Sequence, residues 1–207
     1  MAIPPPTFGQ DDVKIEAQEL VFKRFFSIEK LTLRHKLFAG GWSQPITREL
    51  FRRGGAVAVL LFDPKLRQVG LVEQFRVGAM TQPDGPWLLE IVAGMFDADE
   101  TAEVVARREV AEETGLELHS LHFICEYFSS PGGTDEKLSV YCALCDLSNA
   151  GGIHGVVEEG EDIRVQVLPV DDVFRHLYSG RFNNAATLIG LQWLQLNIDR
   201  LVCTEQR

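Results

Sequence analysis

Residues 94–116 carry three glutamates, Glu109, Glu112 and Glu113, that follow one another at helical spacing. On an α-helix, positions i, i+3 and i+4 lie on one face, so these three carboxylates would be neighbours. Like charges in this arrangement repel each other and do not stabilise a helix. A hard divalent cation bound by the carboxylate oxygens would relieve that repulsion. The segment therefore predicts either a metal-binding helix face or a solvated acidic one.

The residues around the glutamates predict a strand, a loop and a helix. The apolar positions that would dock the helix on a sheet are Ala102, Val105, Ala106 and Val110. Asp97 and Glu100 predict a capping box at the helix start, and Gly115 predicts a left-handed end. Residues 87–93 predict the preceding strand, and Arg108 is placed to brace the glutamates by charge-assisted hydrogen bonds.

The fixed positions of this segment resemble the signature box of the Nudix hydrolases. They are Gly94, Glu100, Arg108, Glu109, Glu112, Glu113 and Gly115, with Val110 and Leu116 at the apolar positions. Because every fixed position is filled, the pattern favours the metal-binding interpretation over the solvated face.

The rest of the chain predicts an α/β (α+β) protein in which a mixed sheet is sandwiched between helices. The segments predicted as strands are 56–62, 68–76, 122–128, 137–145 and 164–170, and the helices are 172–178 and 184–199. Residues 1–50 predict an antiparallel β arm with strands at 21–27 and 31–37, and residues 51–207 the Nudix domain. The Gly-rich, acidic segment 146–162 predicts a long loop. Cys142 and Cys145 lie on a predicted strand, so we expect buried thiols on opposite faces rather than a zinc site.

Composition limits the partners of the protein. The 207 residues carry a net charge of −10, so no basic surface is expected for a nucleic acid. No apolar run is long enough to cross a membrane. The N-terminus lacks the basic start and apolar core of a signal peptide, so we expect a cytoplasmic protein.

Three further features are similar to the bacterial ADP-ribose pyrophosphatase branch of the family. They are Pro131, the loop 152–164 and the segment 183–193. The resemblance implies hydrolysis of ADP-ribose to AMP and ribose 5-phosphate with two or three Mg²⁺ ions, for which Mn²⁺ is an alternative. It also implies a homodimer that forms through the N-terminal arm.

The resemblance implies the following catalytic groups. Glu109, Glu113, Glu161 and the carbonyl of Ala93 would bind the metal, and Glu112 would share in bridging or outer contacts. Glu159 in the mobile loop would be the general base, with Glu158, Glu161 and Glu112 as alternatives. Arg108 would orient the carboxylates.

The resemblance also implies a set of residues that bind the substrate. Arg48, Arg53 and Arg76 would contact the diphosphate and the terminal ribose, and Glu49 would also bind the substrate. Phe25 and Phe26 would stack on adenine, and Met95 and Ser130 would lie beside the site. The alternatives are surface arginines and phenylalanines that pack in the core or at a dimer interface.

Two other functions stay open. One is hydrolysis of a different nucleoside diphosphate sugar such as GDP-mannose, with the same metal site. The other is a non-catalytic domain that senses a nucleotide, although the retention of every acidic position of the motif argues against it.

Overall fold

The computed structural model describes residues 2–205; the predicted domain limits at Met1 and at residue 207 lie outside the described residues. The chain divides into two compact units. Among the described residues, the N-terminal unit comprises residues 2–54 and Phe128–Glu136, and the larger unit comprises Gly55–Tyr127 and residues 137–205.

The N-terminal unit is a three-stranded antiparallel sheet of β1 (Val13–Lys23), β2 (Ser27–His35) and β3 (Ile46–Arg52), in that order. The prediction of a strand at 21–27 is wrong, because the chain reverses there and the Arg24 N–H donates to the Phe26 carbonyl at 2.8 Å. The aromatic residues at this position indicate a strand by propensity, but Phe25 lies exposed at the turn.

The larger unit is a mixed eight-stranded sheet with helices on both faces, as predicted. Its strands are β4 (Gly55–Asp63), β5 (Gln68–Phe75), β6 (Trp87–Glu90), β7 (Val92–Met95), β8 (Ser120–Phe128), β9 (Lys137–Leu144), β10 (Gly152–His154) and β11 (Ile163–Pro169). Its helices are α1 (Ala102–Thr114), α2 (Val170–His176) and α3 (Ala185–Glu205). The strand order is β10-β11-β5-β4-β9-β8, with β6 paired to β5, β7 to β4, and β4 parallel to β9.

Strand β4 is apolar from Ala56 to Phe62, as expected for a strand that is buried on both faces. Val57, Val59 and Leu61 pack in the cluster that contains Val105, Ala106 and Val110 of α1. Ala58, Leu60 and Phe62 pack in the opposite cluster, which contains Leu191 and Leu194 of α3. Cys142 and Cys145 are free thiols in these two different clusters, which confirms the prediction made for them.

Helix α1 begins later than the predicted capping box. Its N-cap is Thr101, whose Oγ1 accepts the Val104 N–H at 3.4 Å. Glu100 does accept the Asp97 N–H at 3.0 Å, but it does so in the loop before the helix. The end of the helix is as predicted, since Gly115 is left-handed with φ 68°.

Two other predicted segments differ in detail. The predicted strand 87–93 is divided at Ile91 into β6, which pairs with β5, and β7, which pairs with β4. The predicted loop 146–162 contains β10 and a 3₁₀ turn at Val157–Glu159. Among residues 2–205, no helix combines the length and apolar character needed to span a membrane.

Candidate active site

Arg108 joins the acidic residues of α1 to the loop before it. Its Nη1 donates to Glu109 Oε1 at 2.7 Å and lies 3.4 Å from Glu112 Oε2, and its Nε and Nη2 donate to the two oxygens of Glu100 at 3.2 and 2.9 Å. Its Nη2 also donates to the Met95 carbonyl at 3.2 Å. These carboxylates raise the pKa of Arg108, and the hydrogen bonds from Arg108 lower the pKa of Glu100. The predicted bracing by Arg108 is therefore present in the structure.

Gly94 leaves the space that the side chain of Glu109 occupies. A Cβ atom at residue 94 would lie 1.8 Å from Glu109 Cδ. Burial raises the pKa of Glu109, Arg108 opposes this shift, and the neighbouring Glu112 and Glu161 add to it. The glycine at the end of β7 thus lets a carboxylate of α1 lie directly against the strand.

Glu113 is buried in the same region, with 2% of its surface exposed. Burial raises its pKa to about 8, and the charge of Glu109 contributes in the same direction. Arg76 lowers this pKa, Glu161 raises it, and the backbone amide of Ala93 lowers it by hydrogen bonding. Its Oε2 is buried and has no hydrogen-bond partner among the described residues. An unpaired buried oxygen is costly unless a cation or a proton satisfies it.

Arg76 is anchored at the end of β5 by a buried carboxylate. Its Nε donates to Glu90 Oε2 at 2.7 Å, and Asn184 Nδ2 donates to Glu90 Oε1 at 2.7 Å. Neither Glu90 nor Asn184 was predicted as a functional residue. The signal for Glu90 was a single carboxylate within the apolar segment 87–93.

The segment 151–161 packs beside the C-terminal end of α1. The Gly155 N–H donates to the Glu112 carbonyl at 3.3 Å, and Glu161 Oε2 accepts the Val156 N–H at 3.0 Å. The charge of Glu161 contributes to the raised pKa of Glu113, after burial and the charge of Glu109. Glu159 lies in the 3₁₀ turn and is exposed. The loop therefore places Glu161 beside the acids of α1 and Glu159 at the surface.

The acidic side chains do not all converge on one point. Among residues 2–205, no three His, Cys, Asp or Glu side chains are grouped closely enough to hold a single metal ion. Glu109 Oε1 accepts from Arg108 Nη1, and Glu161 Oε2 accepts the Val156 N–H. The metal-binding roles of Ala93, Glu109, Glu113 and Glu161 stay predictions, as do the catalytic roles of Glu112, Glu159 and Arg108.

Arg53, Phe25 and Phe26 form an aromatic–cationic group in the N-terminal unit. The guanidinium of Arg53 lies 4.9 Å from the ring centroid of Phe26, and the Phe25 and Phe26 rings are 4.6 Å apart, edge to face. Arg53 Nε is 2.8 Å from Glu136 Oε1, but the two are not aligned for a hydrogen bond. Phe25 is exposed, so the alternative that it packs in the core is wrong for this residue.

The other predicted substrate residues of this unit are spread over its surface. Arg48 and Glu49 are successive residues of β3, so their side chains leave opposite faces of the strand. Ser130 begins the turn that contains Pro131, and its carbonyl accepts the Gly133 N–H at 3.0 Å. Met95, in the larger unit, is exposed at the end of β7. The substrate roles of all these residues stay predictions.

Comparison with known proteins agrees with the motif. The model of the NUDIX domain matches residues 52–188. A solved structure described as "Crystal structure of ADP compounds hydrolase" superposes with a TM-score of 0.68 and covers 92% of this chain and 98% of that one. At 20% sequence identity, that similarity concerns the fold.

Curated proteins match over most of the chain. The ADP-ribose pyrophosphatase of Escherichia coli (strain K12) is 44% identical over 93% of this chain and 92% of its own length. That of Haemophilus influenzae is 42% identical over 94% of this chain and 91% of its own length. The GDP-mannose pyrophosphatase of Cronobacter sakazakii is 36% identical over 72% of this chain and 78% of its own length. The chain belongs to the Nudix family, because it has the complete sequence box of that family, a sheet between helices and these relatives.

Proposed function

We propose that this protein hydrolyses ADP-ribose to AMP and ribose 5-phosphate in a reaction that depends on Mg²⁺. The observation that carries the proposal is the buried Oε2 of Glu113, which is unpaired within residues 2–205 and whose pKa responds to Glu109, Glu161 and Arg76. Support for the substrate comes from the relatives at 42–44% identity, which are ADP-ribose pyrophosphatases.

The chemistry of the donor atoms fits a hard divalent cation, although no three acidic side chains among residues 2–205 are grouped around one point. Carboxylate and carbonyl oxygens are the ligands that Mg²⁺ prefers, and Glu109, Glu113, Glu161 and the Ala93 carbonyl would supply them. Mg²⁺ would neutralise the phosphate oxygens and lower the pKa of a bound water. The proposal includes two or three Mg²⁺ ions, with Mn²⁺ as an alternative ion.

The chain's own residues supply the other requirements of diphosphate hydrolysis. Arg108 fixes the direction of the Glu109 carboxylate, to which it donates at 2.7 Å. Arg76 offers a guanidinium beside the acids, and a guanidinium pairs well with a phosphate. Glu159, exposed in the loop 151–161, takes the proton of the attacking water, and closure of the loop brings it to the substrate.

For the N-terminal unit we propose roles in nucleoside and ribose binding. Phe25 is an exposed aromatic ring that can stack on adenine, and Phe26 supports it edge to face. Arg48, Glu49, Arg53 and Ser130 complete the proposed set, together with Met95 of the larger unit. The homodimer formed through the N-terminal arm belongs to the same proposal, and a cytoplasmic location stays a prediction.

The second candidate function is hydrolysis of GDP-mannose. It is favoured by a specific observation, the 36% identity to a GDP-mannose pyrophosphatase over 72% of the chain. The metal site would be the same, and only the groups that contact the base and the sugar would differ. The lower identity and coverage place it second.

The test is a panel of substrates incubated with purified protein and Mg²⁺. The panel contains ADP-ribose, GDP-mannose, NADH, a diadenosine polyphosphate and 8-oxo-dGTP, and chromatography identifies the products. We expect AMP and ribose 5-phosphate, with the highest kcat/KM for ADP-ribose. A higher kcat/KM for GDP-mannose would support the second candidate. Nucleotide binding without turnover would support the sensor and contradict both.

A further inference from the structure

Glu90 is a buried carboxylate whose two oxygens are both engaged. Its side chain is 3% exposed, Oε2 accepts from Arg76 Nε at 2.7 Å, and Oε1 accepts from Asn184 Nδ2 at 2.7 Å. The neighbours Leu89 and Ile91 point into the apolar core on the side of α3. A buried charge contributes little to stability compared with a well-packed apolar residue, so stability alone does not explain this side chain.

Asn184 holds Glu90 in one orientation. Asn184 Oδ1 accepts the Thr187 N–H at 3.1 Å and lies 3.3 Å from Thr187 Oγ1, at the start of α3. Thr187 Oγ1 in turn accepts the Ile91 N–H at 3.1 Å. Because its oxygen faces the helix, the amide of Asn184 must turn its nitrogen towards Glu90. The carboxylate is therefore fixed from the first turn of the longest helix.

Arg76 uses only part of its guanidinium in this contact. Within residues 2–205, Glu90 is the partner of its one side-chain hydrogen bond, formed through Nε. The side chain is 41% exposed, and its charge acts on Glu113. The contact through Nε leaves the terminal nitrogens free to bind an anion next to the acids of α1.

We propose that Glu90 is a positioning residue, held by Asn184, that directs the guanidinium of Arg76 onto the diphosphate of the substrate. This inference rests on the function proposed above. Glu90 itself touches no substrate: it restricts the rotamers of a long, flexible side chain before the substrate arrives. Its loss should therefore weaken substrate binding and leave the chemical step nearly intact.

The test is a double-mutant cycle on KM and kcat for ADP-ribose. We expect Glu90→Gln to raise KM about tenfold, the scale of one charge-assisted hydrogen bond, and to leave kcat within about twofold. Arg76→Ala should raise KM at least as much. In the Arg76→Ala background, Glu90→Gln should change KM less than about twofold, because no guanidinium remains to be positioned. Glu117→Gln, the same change at an exposed glutamate, is the control and should leave KM unchanged.

A rescue variant tests the hydrogen-bond pattern itself. Asn184→Asp alone sets two carboxylates against each other and should raise KM. In the double variant Glu90→Gln with Asn184→Asp, the glutamine nitrogen can donate to the aspartate while its oxygen still accepts from Arg76. KM should then return to within about threefold of wild type. If Glu90→Gln alone does not fold, the cycle is measured with Asn184→Asp and Arg76→Ala.

Two results would overturn this inference and leave the proposed function standing. One is that the effects of Glu90→Gln and Arg76→Ala on KM multiply independently, and the other is a large loss of kcat at unchanged KM in Glu90→Gln. An absence of ADP-ribose turnover by the wild-type protein would instead overturn the proposed function. The inference would fail with it, since Arg76 would then have no diphosphate to hold.

Discussion

Glu113 gives the site a dependence on pH that follows from its burial. Its pKa is about 8 in the folded protein, and an unfolded chain ionises glutamate near pH 4.3. Between these two pH values the folded state keeps a proton on Glu113 that the unfolded state has released. The contribution of this proton to the free energy of unfolding is therefore fully present below about pH 4 and is lost as pH rises through about 8. With divalent cations chelated, we expect Glu113→Gln to lose less stability than wild type between pH 6 and 9, measured as Tm at each pH.

Glu112→Gln is the matched control, because it neutralises an exposed glutamate one residue away. Its Tm should follow the wild-type pH dependence. Saturating Mg²⁺ should also reduce the loss of wild-type stability at high pH, because a cation takes the place of the proton. Parallel pH profiles for wild type and Glu113→Gln would show that Glu113 is ionised throughout this range.

A methyl group at Gly94 should disturb the site without unfolding the protein. It would lie 1.8 Å from Glu109 Cδ, and Glu109 must then leave the strand. We expect Gly94→Ala to raise the Mg²⁺ concentration needed for half-maximal activity about tenfold or more, as loss of a ligand contact would. Gly78→Ala, where a Cβ meets nothing within 4 Å, should behave as wild type. An unchanged Mg²⁺ requirement in Gly94→Ala would remove Glu109 from the metal site.

Sequence spacing predicts which residues share a helix face, but not which of them are buried. Glu109 and Glu113 lie close together, and Arg108 reaches the acidic face, because all three residues belong to one helix. The burial of Glu113 and the exposure of Glu112 depend on the strands packed against α1, which spacing along the helix does not define. The pair Glu90–Asn184 joins residues 94 positions apart, and no local pattern indicates such a contact.

The loop 151–161 carries Glu159, the proposed general base. Glu159 is exposed, and its position in the loop suits a base that arrives on closure. We expect Glu159→Gln to lower kcat by about 10²–10⁴-fold with little change in substrate affinity, because a base acts in the transition state. Single-turnover rates and a separate binding measurement distinguish the two effects. Glu158→Gln, its exposed neighbour, is the control, and a normal rate in Glu159→Gln would place the base elsewhere.

Elements with a long apolar pattern were predictable, and short ones were not. Strand β4 and helix α1 follow from their apolar residues, since each is defined by packing along its whole length. The three-residue β10 is defined by its pairing with β11. Gly152 and Gly155 make the surrounding sequence typical of a loop, so the sequence does not predict this strand. The division between β6 and β7 arises from a change of partner strand, which lies outside the segment itself.

At the scale of the whole molecule, β1 predicts self-association. It is the edge strand of its sheet and exposes Ile15, Leu20, Val21 and Phe22. Exposed apolar edge strands are sites of pairing with another chain. We expect sedimentation at twice the chain mass of 23.2 kDa, and a monomer for the variant Ile15→Lys with Phe22→Lys. Ile3→Lys, an exposed apolar residue outside the strand, should stay dimeric. A monomeric wild type would contradict the proposed homodimer.

The dependence of ADP-ribose hydrolysis on Mg²⁺ tests the proposed function and the proposed metal site together. Initial rates of ADP-ribose hydrolysis would be measured against Mg²⁺ concentration for wild type, Glu109→Gln and Glu113→Gln. We expect no activity with a chelator, saturable activation of the wild type, and a much higher Mg²⁺ requirement or no activity in both variants. Equal Mg²⁺ dependence in all three proteins, or full activity with the chelator, would contradict it.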